Sequence, residues 1–120
     1  MKKKIMNKPT RFYSDKQEKK VAKAIGGKQT ANSGATAFQK GDVYNEICLV
    51  ECKTSTKSKK SFTVQEEWLE KNQEEAFAMG KNYHALCFDF GESKNMRYYI
   101  VTEREFQDYL HFVREERYND

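Results

Sequence analysis

The chain is short of several things, and each shortage narrows what it can be. No apolar run approaches the roughly 18 residues that a membrane-spanning helix needs. The N-terminal residues are basic but have no apolar stretch behind them, so a secretory leader is not expected there. The three cysteines, Cys48, Cys52 and Cys87, are odd in number and have no metal-ligand spacing, which points to reduced thiols in a cytoplasm. Each lies in an apolar run, and Cys48 and Cys52 share one strand face, so all three read as core rather than as catalytic thiols. The single proline falls inside residues 1–11, a basic stretch expected to be a flexible arm that solubilises the chain or touches phosphates. There is no internal repeat and no low-complexity segment.

The remaining 120-residue composition suits one compact domain, assigned to residues 12–120. Apolar content is low at 38%, and eight Phe, seven Tyr and Trp68 must supply most of the core volume. Charge is divided unevenly. Residues 1–60 carry 15 Lys/Arg against 5 Asp/Glu, and residues 61–120 carry 7 against 13. A positive half suits a polyanionic partner, although lysine-rich surfaces also serve plain solubility.

Helical periodicity and capping residues predict a helix from Ser14 or Asp15 to about Ile25, stopped by Gly26-Gly27, with Val21, Ala22 and Ile25 as its apolar stripe. Glu18 falls on that stripe. It is either an acid favoured by the helix N-terminus or a carboxylate leaning into a site. Residues 28–40 read as a polar loop whose backbone amides and Thr30, Ser33 and Thr36 hydroxyls are natural phosphate contacts, although an ordinary surface loop explains them nearly as well. Asp42–Tyr44 and Ile47–Lys53 read as a hairpin turning at Asn45-Glu46. A basic, hydroxyl-rich loop follows at residues 54–61, with Lys57, Lys59 and Lys60. A Thr63/Glu66 capping box then opens a helix that ends at Gly80, with Val64, Trp68, Leu69, Ala76 and Met79 facing inward and Gln65 in the first turn. Strands are expected at Ala85–Phe90 and Tyr98–Val101, with His84 just before the first of them as a structural or solvated residue. A second capping box, Thr102/Glu105, opens a terminal helix with Phe106, Leu110 and Val113 as its stripe. The order predicts an α/β domain with a mixed central sheet of about four strands flanked by helices.

The chemistry is concentrated where the hairpin closes. Asp42 is separated by eight residues from the triplet Glu51-Cys52-Lys53. Alternation along the strand puts Glu51 and Lys53 on one face and Cys52 on the other, and the hairpin returns Asp42 beside Glu51. Two carboxylates and an ammonium at the end of a buried strand are costly to bury without a purpose. Together they can hold a divalent cation and position a water for phosphodiester hydrolysis.

This arrangement resembles the PD-(D/E)xK nuclease superfamily, and within it the small Holliday-junction resolvases of archaea and phages. The resemblance covers residues 14–101: an acid-bearing helix with Glu18, the loop Asn32-Ser33-Gly34-Ala35, then Asp42, Glu51-x-Lys53, a basic loop and a helix opening with Gln65. The residue before Asp42 is Gly41, where the family usually has proline. The resemblance implies a restriction-endonuclease-like domain and a Mg²⁺-dependent endonuclease, with Mn²⁺ able to substitute. Asp42, Glu51 and Glu18 would hold the metal and Lys53 would complete the catalytic set. Lys28, Ser33, Lys57, Lys59, Lys60 and Gln65 would contact DNA. It further implies branched DNA as substrate, a homodimer as the working form, no membrane association, and a bacterial host cytoplasm if the chain is phage-encoded. The competing readings are a nickase or restriction- or repair-type nuclease of the same fold, a nucleic-acid-binding protein that does not cleave, and an ion-pair cluster in a protein-protein adaptor.

Overall fold

The computed structural model describes residues 10–30, 42–55, 57–91 and 95–118. The chain is an α/β protein, with three helices and a five-stranded mixed sheet among the described residues. In chain order these are α1 (Thr10–Ile25), β1 (Lys28–Gln29), β2 (Asp42–Tyr44), β3 (Cys48–Lys53), α2 (Glu66–Ala78), β4 (Tyr83–Phe88), β5 (Tyr98–Ile100) and α3 (Glu103–Tyr118). The strands lie side by side in sequence order. Only β3 and β4 are parallel; the other neighbours are antiparallel. A parallel pair needs a crossover, and α2 supplies it.

The sheet separates two packed faces. Val43, Val50, Cys52, Ala85 and Cys87 form one core with Val21, and Ala22, Ile25 and Cys48 pack against it, so α1 covers this face. The three cysteines are free and contribute to this core as the sequence predicts. Strand alternation turns Asp42, Leu49, Glu51, Lys53, His84 and Leu86 to the opposite face, which α2 covers. Leu49 and Leu86 are fully buried there, with Asn72 and Ala76 of α2.

Several boundaries differ from the sequence expectation. The first helix begins at Thr10, so Thr10 and Arg11 belong to it rather than to an arm; residues 1–9 lie outside the described residues. Asp15 is inside the helix and pairs with Lys19 one turn on at 3.2 Å, instead of capping. The polar segment after α1 opens with a short strand, β1, because Lys28 and Gln29 pair with Tyr44 and Val43. The hairpin turn is tightened by Asn45, whose Oδ1 accepts from the amides of Ile47 (2.9 Å) and Cys48 (2.8 Å). Ile47 therefore stays in the turn and is 54% exposed instead of starting a buried strand.

The Thr63 capping box does not form. Gln65 is the N-cap of α2 with no side-chain cap bond, and Val64 is exposed. Gly80 ends that helix as expected, at φ 74°, with the Lys81 amide donating to the Ala76 carbonyl at 2.8 Å. His84 lies within β4, while Phe90 lies beyond its end. The Thr102 box is present: the Thr102 amide donates to Glu105 Oε1 at 2.9 Å, and the Glu105 amide to Thr102 Oγ1 at 3.3 Å. Along α3, Phe106, Tyr109 and Phe112 are 51%, 61% and 61% exposed, so Phe106 leaves the expected stripe. No helix among the described residues is long and apolar enough to cross a membrane.

Candidate metal centre

The register of the hairpin builds the centre. Asp42 and Glu51 are direct cross-strand partners, so both carboxylates leave the sheet on the α2 face. From above, α2 adds Glu75. Ligand oxygens of Asp42, Glu51 and Glu75 all lie within 4.8 Å of one another. Asp42 and Glu75 are buried, and Glu51 is largely so. Three acids so close repel one another in a medium that solvates them poorly. The consequence is clearest at Asp42: burial first, then the charges of Glu75, Glu51 and Glu18, push its carboxyl up to about 8, against the opposing pull of Lys53. Glu75 is raised as well, by burial and then by Glu51.

One atom is unsatisfied. Glu51 Oε1 is buried without a hydrogen-bond partner. Its sister Oε2 meets Lys53 Nζ at 3.1 Å. The ammonium also sits 4.2 Å from the centre of the Trp68 ring, so Lys53 is held between Glu51 and α2. A buried carboxylate oxygen with no donor, inside a three-acid cluster countered by Lys53 at Asp42 and by Lys71 at Glu75, suits a cation. All-oxygen donors favour Mg²⁺ or a similar hard ion.

The backbone around the centre is tied down. Thr30 donates from its amide (3.0 Å) and its hydroxyl (3.3 Å) to the Asp42 carbonyl. Beyond the parallel ends of β3 and β4, buried Gln17 of α1 bridges the two chains. Its Nε2 donates to Asp89 Oδ2 at 3.0 Å and to the Lys53 carbonyl at 3.4 Å, and its Oε1 accepts from Thr54 Oγ1 at 2.6 Å. Ser55 Oγ adds a bond to the Asp89 carbonyl at 3.2 Å. These contacts hold Lys53 and the chain after it in one course.

Of the predicted site residues, Asp42, Glu51 and Lys53 come together. Glu18 is on α1, the helix of the other sheet face. It accepts from Gln29 Nε2 at 3.1 Å and raises Asp42 through its charge, but it is not one of the three converging carboxylates. Glu75 occupies the third position, and the sequence reading missed it. Its signal was there: Trp68, Asn72, Glu75 and Ala76 recur at helical spacing on one face, so an acid lay on the inward stripe of α2. Gln17 was missed in the same way, one residue from the acid that drew attention.

Lys57, Lys59 and Lys60 are exposed on the loop after β3, and Gln65 is exposed at the start of α2. Lys28 is exposed on β1, where it pairs with Tyr44 rather than lying beside Asp42. Ser33 and the rest of residues 31–41, Gly41 included, lie outside the described residues. No family model matches the chain, and neither a curated protein nor a solved structure matches it.

Proposed function

We propose that this protein is a Mg²⁺-dependent endonuclease that hydrolyses DNA phosphodiester bonds, built on a restriction-endonuclease-like core and directed to branched DNA as in the Holliday-junction resolvases. The observation that carries the reading is the convergence of Asp42, Glu51 and Glu75 with Lys53 on Glu51. A divalent cation held there would stabilise charge on the phosphate and acidify the attacking water. Asp42, Glu51 and Glu75 are the residues that would hold it, with Mn²⁺ as a substitute. Lys53, held between Glu51 and Trp68, would orient the water and donate to a phosphate oxygen as negative charge builds there.

The exposed lysines of residues 57–60 would supply counter-charge for a phosphate backbone. The exposed Phe106, Tyr109 and Phe112 on α3 support a homodimer, since aromatic rings on one helix gain from cover by a second copy. The test is purified protein with Mg²⁺ or Mn²⁺ on labelled four-way junction, duplex, single-stranded DNA and RNA. Metal-dependent cleavage of the junction, abolished in Glu75→Gln, is expected. Binding of DNA without cleavage under either metal would replace the nuclease by a non-catalytic binding protein.

A further inference from the structure

A second feature lies outside the acid cluster, and the hydrolytic chemistry does not use it. A cavity of about 420 Å³ is lined by Lys59, Lys60, Phe90, Asn95, Met96 and Tyr98. Its size falls within the range of about 300–1,000 Å³ that small-molecule sites occupy. One wall is aromatic. Phe90 and Tyr98 meet edge to face at 5.6 Å, and Tyr98 stacks on Phe88 at 5.6 Å. Tyr98 is nonetheless 43% exposed. The lining also includes two exposed lysines, Lys59 and Lys60. The Lys59 amide donates to the Phe90 carbonyl at 2.8 Å, which fixes the basic loop against the aromatic wall.

The cavity is joined to the acids by a run of rings. Lys53 Nζ lies over Trp68; Trp68 meets Phe62 at 6.2 Å; Phe62 stacks on Phe88 at 4.4 Å; and Phe88 stacks on Tyr98. Lys53 and Phe88 are also partners across β3 and β4, and Phe88 and Tyr98 across β4 and β5. A polymer strand following this side from Lys53 would pass these half-buried rings before reaching the two exposed lysines.

We propose that this cavity takes an unpaired nucleobase of the strand whose phosphate lies at the acids, with the base on Tyr98 and Phe90 and its phosphate on Lys59 and Lys60. The occupant follows from charge and shape together. Exposed lysines beside the partly exposed Tyr98 ring suit a planar base carrying an anion. A fully paired duplex keeps its bases stacked inside and presents none to the cavity. The inference deepens the nuclease reading, on which it rests for the identity of the polymer: discrimination in favour of branch points and single-stranded flanks would come from this cavity.

The test uses the full chain in EDTA, so that nothing is cut. 2-Aminopurine is placed at the unpaired position of a DNA fork, and a fully paired duplex of the same sequence serves as control. Quenching on binding to the fork is expected. Tyr98→Ala should weaken fork binding about tenfold and leave duplex binding unchanged, whereas Tyr98→Phe keeps the ring and the affinity. Thermal melting of each variant confirms that it folds. Equal weakening on fork and duplex, or no change on either, would overturn the cavity's role. Cleavage with Mg²⁺ is then measured separately. A wild-type protein that never cuts but shows Tyr98-dependent fork binding supports the cavity while overturning the nuclease reading.

Discussion

Two clusters of buried polar groups lie under the same helix, a turn apart, and they are built on opposite principles. At one, Asn72 of α2 meets His84 of β4 and Glu105 of α3. His84 Nδ1 lies 3.2 Å from Asn72 Oδ1, and Asn72 Nδ2 donates to the Leu49 carbonyl at 3.5 Å. The His84 amide donates to Glu105 Oε2 at 2.6 Å, and Glu105 Oε1 accepts from the Thr102 amide and hydroxyl. This cluster is closed: it joins α3 to the sheet and asks for nothing more. At the other, Glu75 meets Asp42 and Glu51, three acids with Lys53 paired to one of them and one buried oxygen unpartnered. Buried polar groups in folded proteins are ordinarily satisfied, so the closed cluster reads as architecture and the open one as a place for a cation.

The sharpest way to break this contrast is to neutralise each cluster in turn. Asp42→Asn, Glu51→Gln or Glu75→Gln should lower cleavage of a DNA junction by about a thousandfold, equivalent to about 4 kcal/mol less transition-state stabilisation, while the protein melts at or above the wild-type temperature. Single-turnover rates beside thermal melts check both halves. Near wild-type cleavage by all three variants would remove the site. Glu105→Ala should do the reverse. It strips the acceptor from the His84 amide and the cap from α3, and should cost about 3 kcal/mol in urea unfolding while cleavage per folded molecule is retained.

The pH response separates the clusters further. Asp42 is raised from 3.8 to about 8, so between these values the folded protein holds a proton that the unfolded chain has released. Its favourable contribution is complete below the lower value and is lost as pH rises through the upper. Metal-free protein should therefore melt at a lower temperature at pH 9 than at pH 6. Asp42→Asn should reduce that difference, and Mg²⁺ should stabilise more at pH 9 than at pH 6 because the ionised acids bind it. A wild-type melting temperature that is flat or rising with pH in EDTA, and unchanged by Asp42→Asn, would argue against a strained acid there. The smallest effect lies at the basic loop. Replacing Lys57, Lys59 and Lys60 with Ala should lower the slope of log K against log salt for duplex DNA by about 0.9 for each phosphate the loop no longer neutralises. An unchanged slope would place the binding footprint elsewhere.

How much of this was legible in the chain can be followed residue by residue. Asp42, Glu51 and Lys53 were readable because all three belong to one hairpin, where alternation and a short turn set neighbours locally. The Thr102 box was readable for the same reason, although its second use, holding the His84 amide, was not. Local rules failed in three places. Thr63 had the residues of a cap, yet the helix starts at Glu66. Ile47 had the character of a strand, yet Asn45 captures its amide for the turn. His84 looked like a residue at the margin, yet the parallel register with Leu49 draws it into the sheet.

By itself, the amino-acid order determined the alternation of helix and strand, the hairpin and the placing of two carboxylates and a lysine on one face, because those depend on contacts a few residues apart. Only the tertiary structure decided that Glu75, and not Glu18, is the third converging acid. Both sit on inward stripes of amphipathic helices. Which acid reaches Asp42 and Glu51 depends on the sheet face each helix covers, and hydrophobic burial across the whole domain sets that choice.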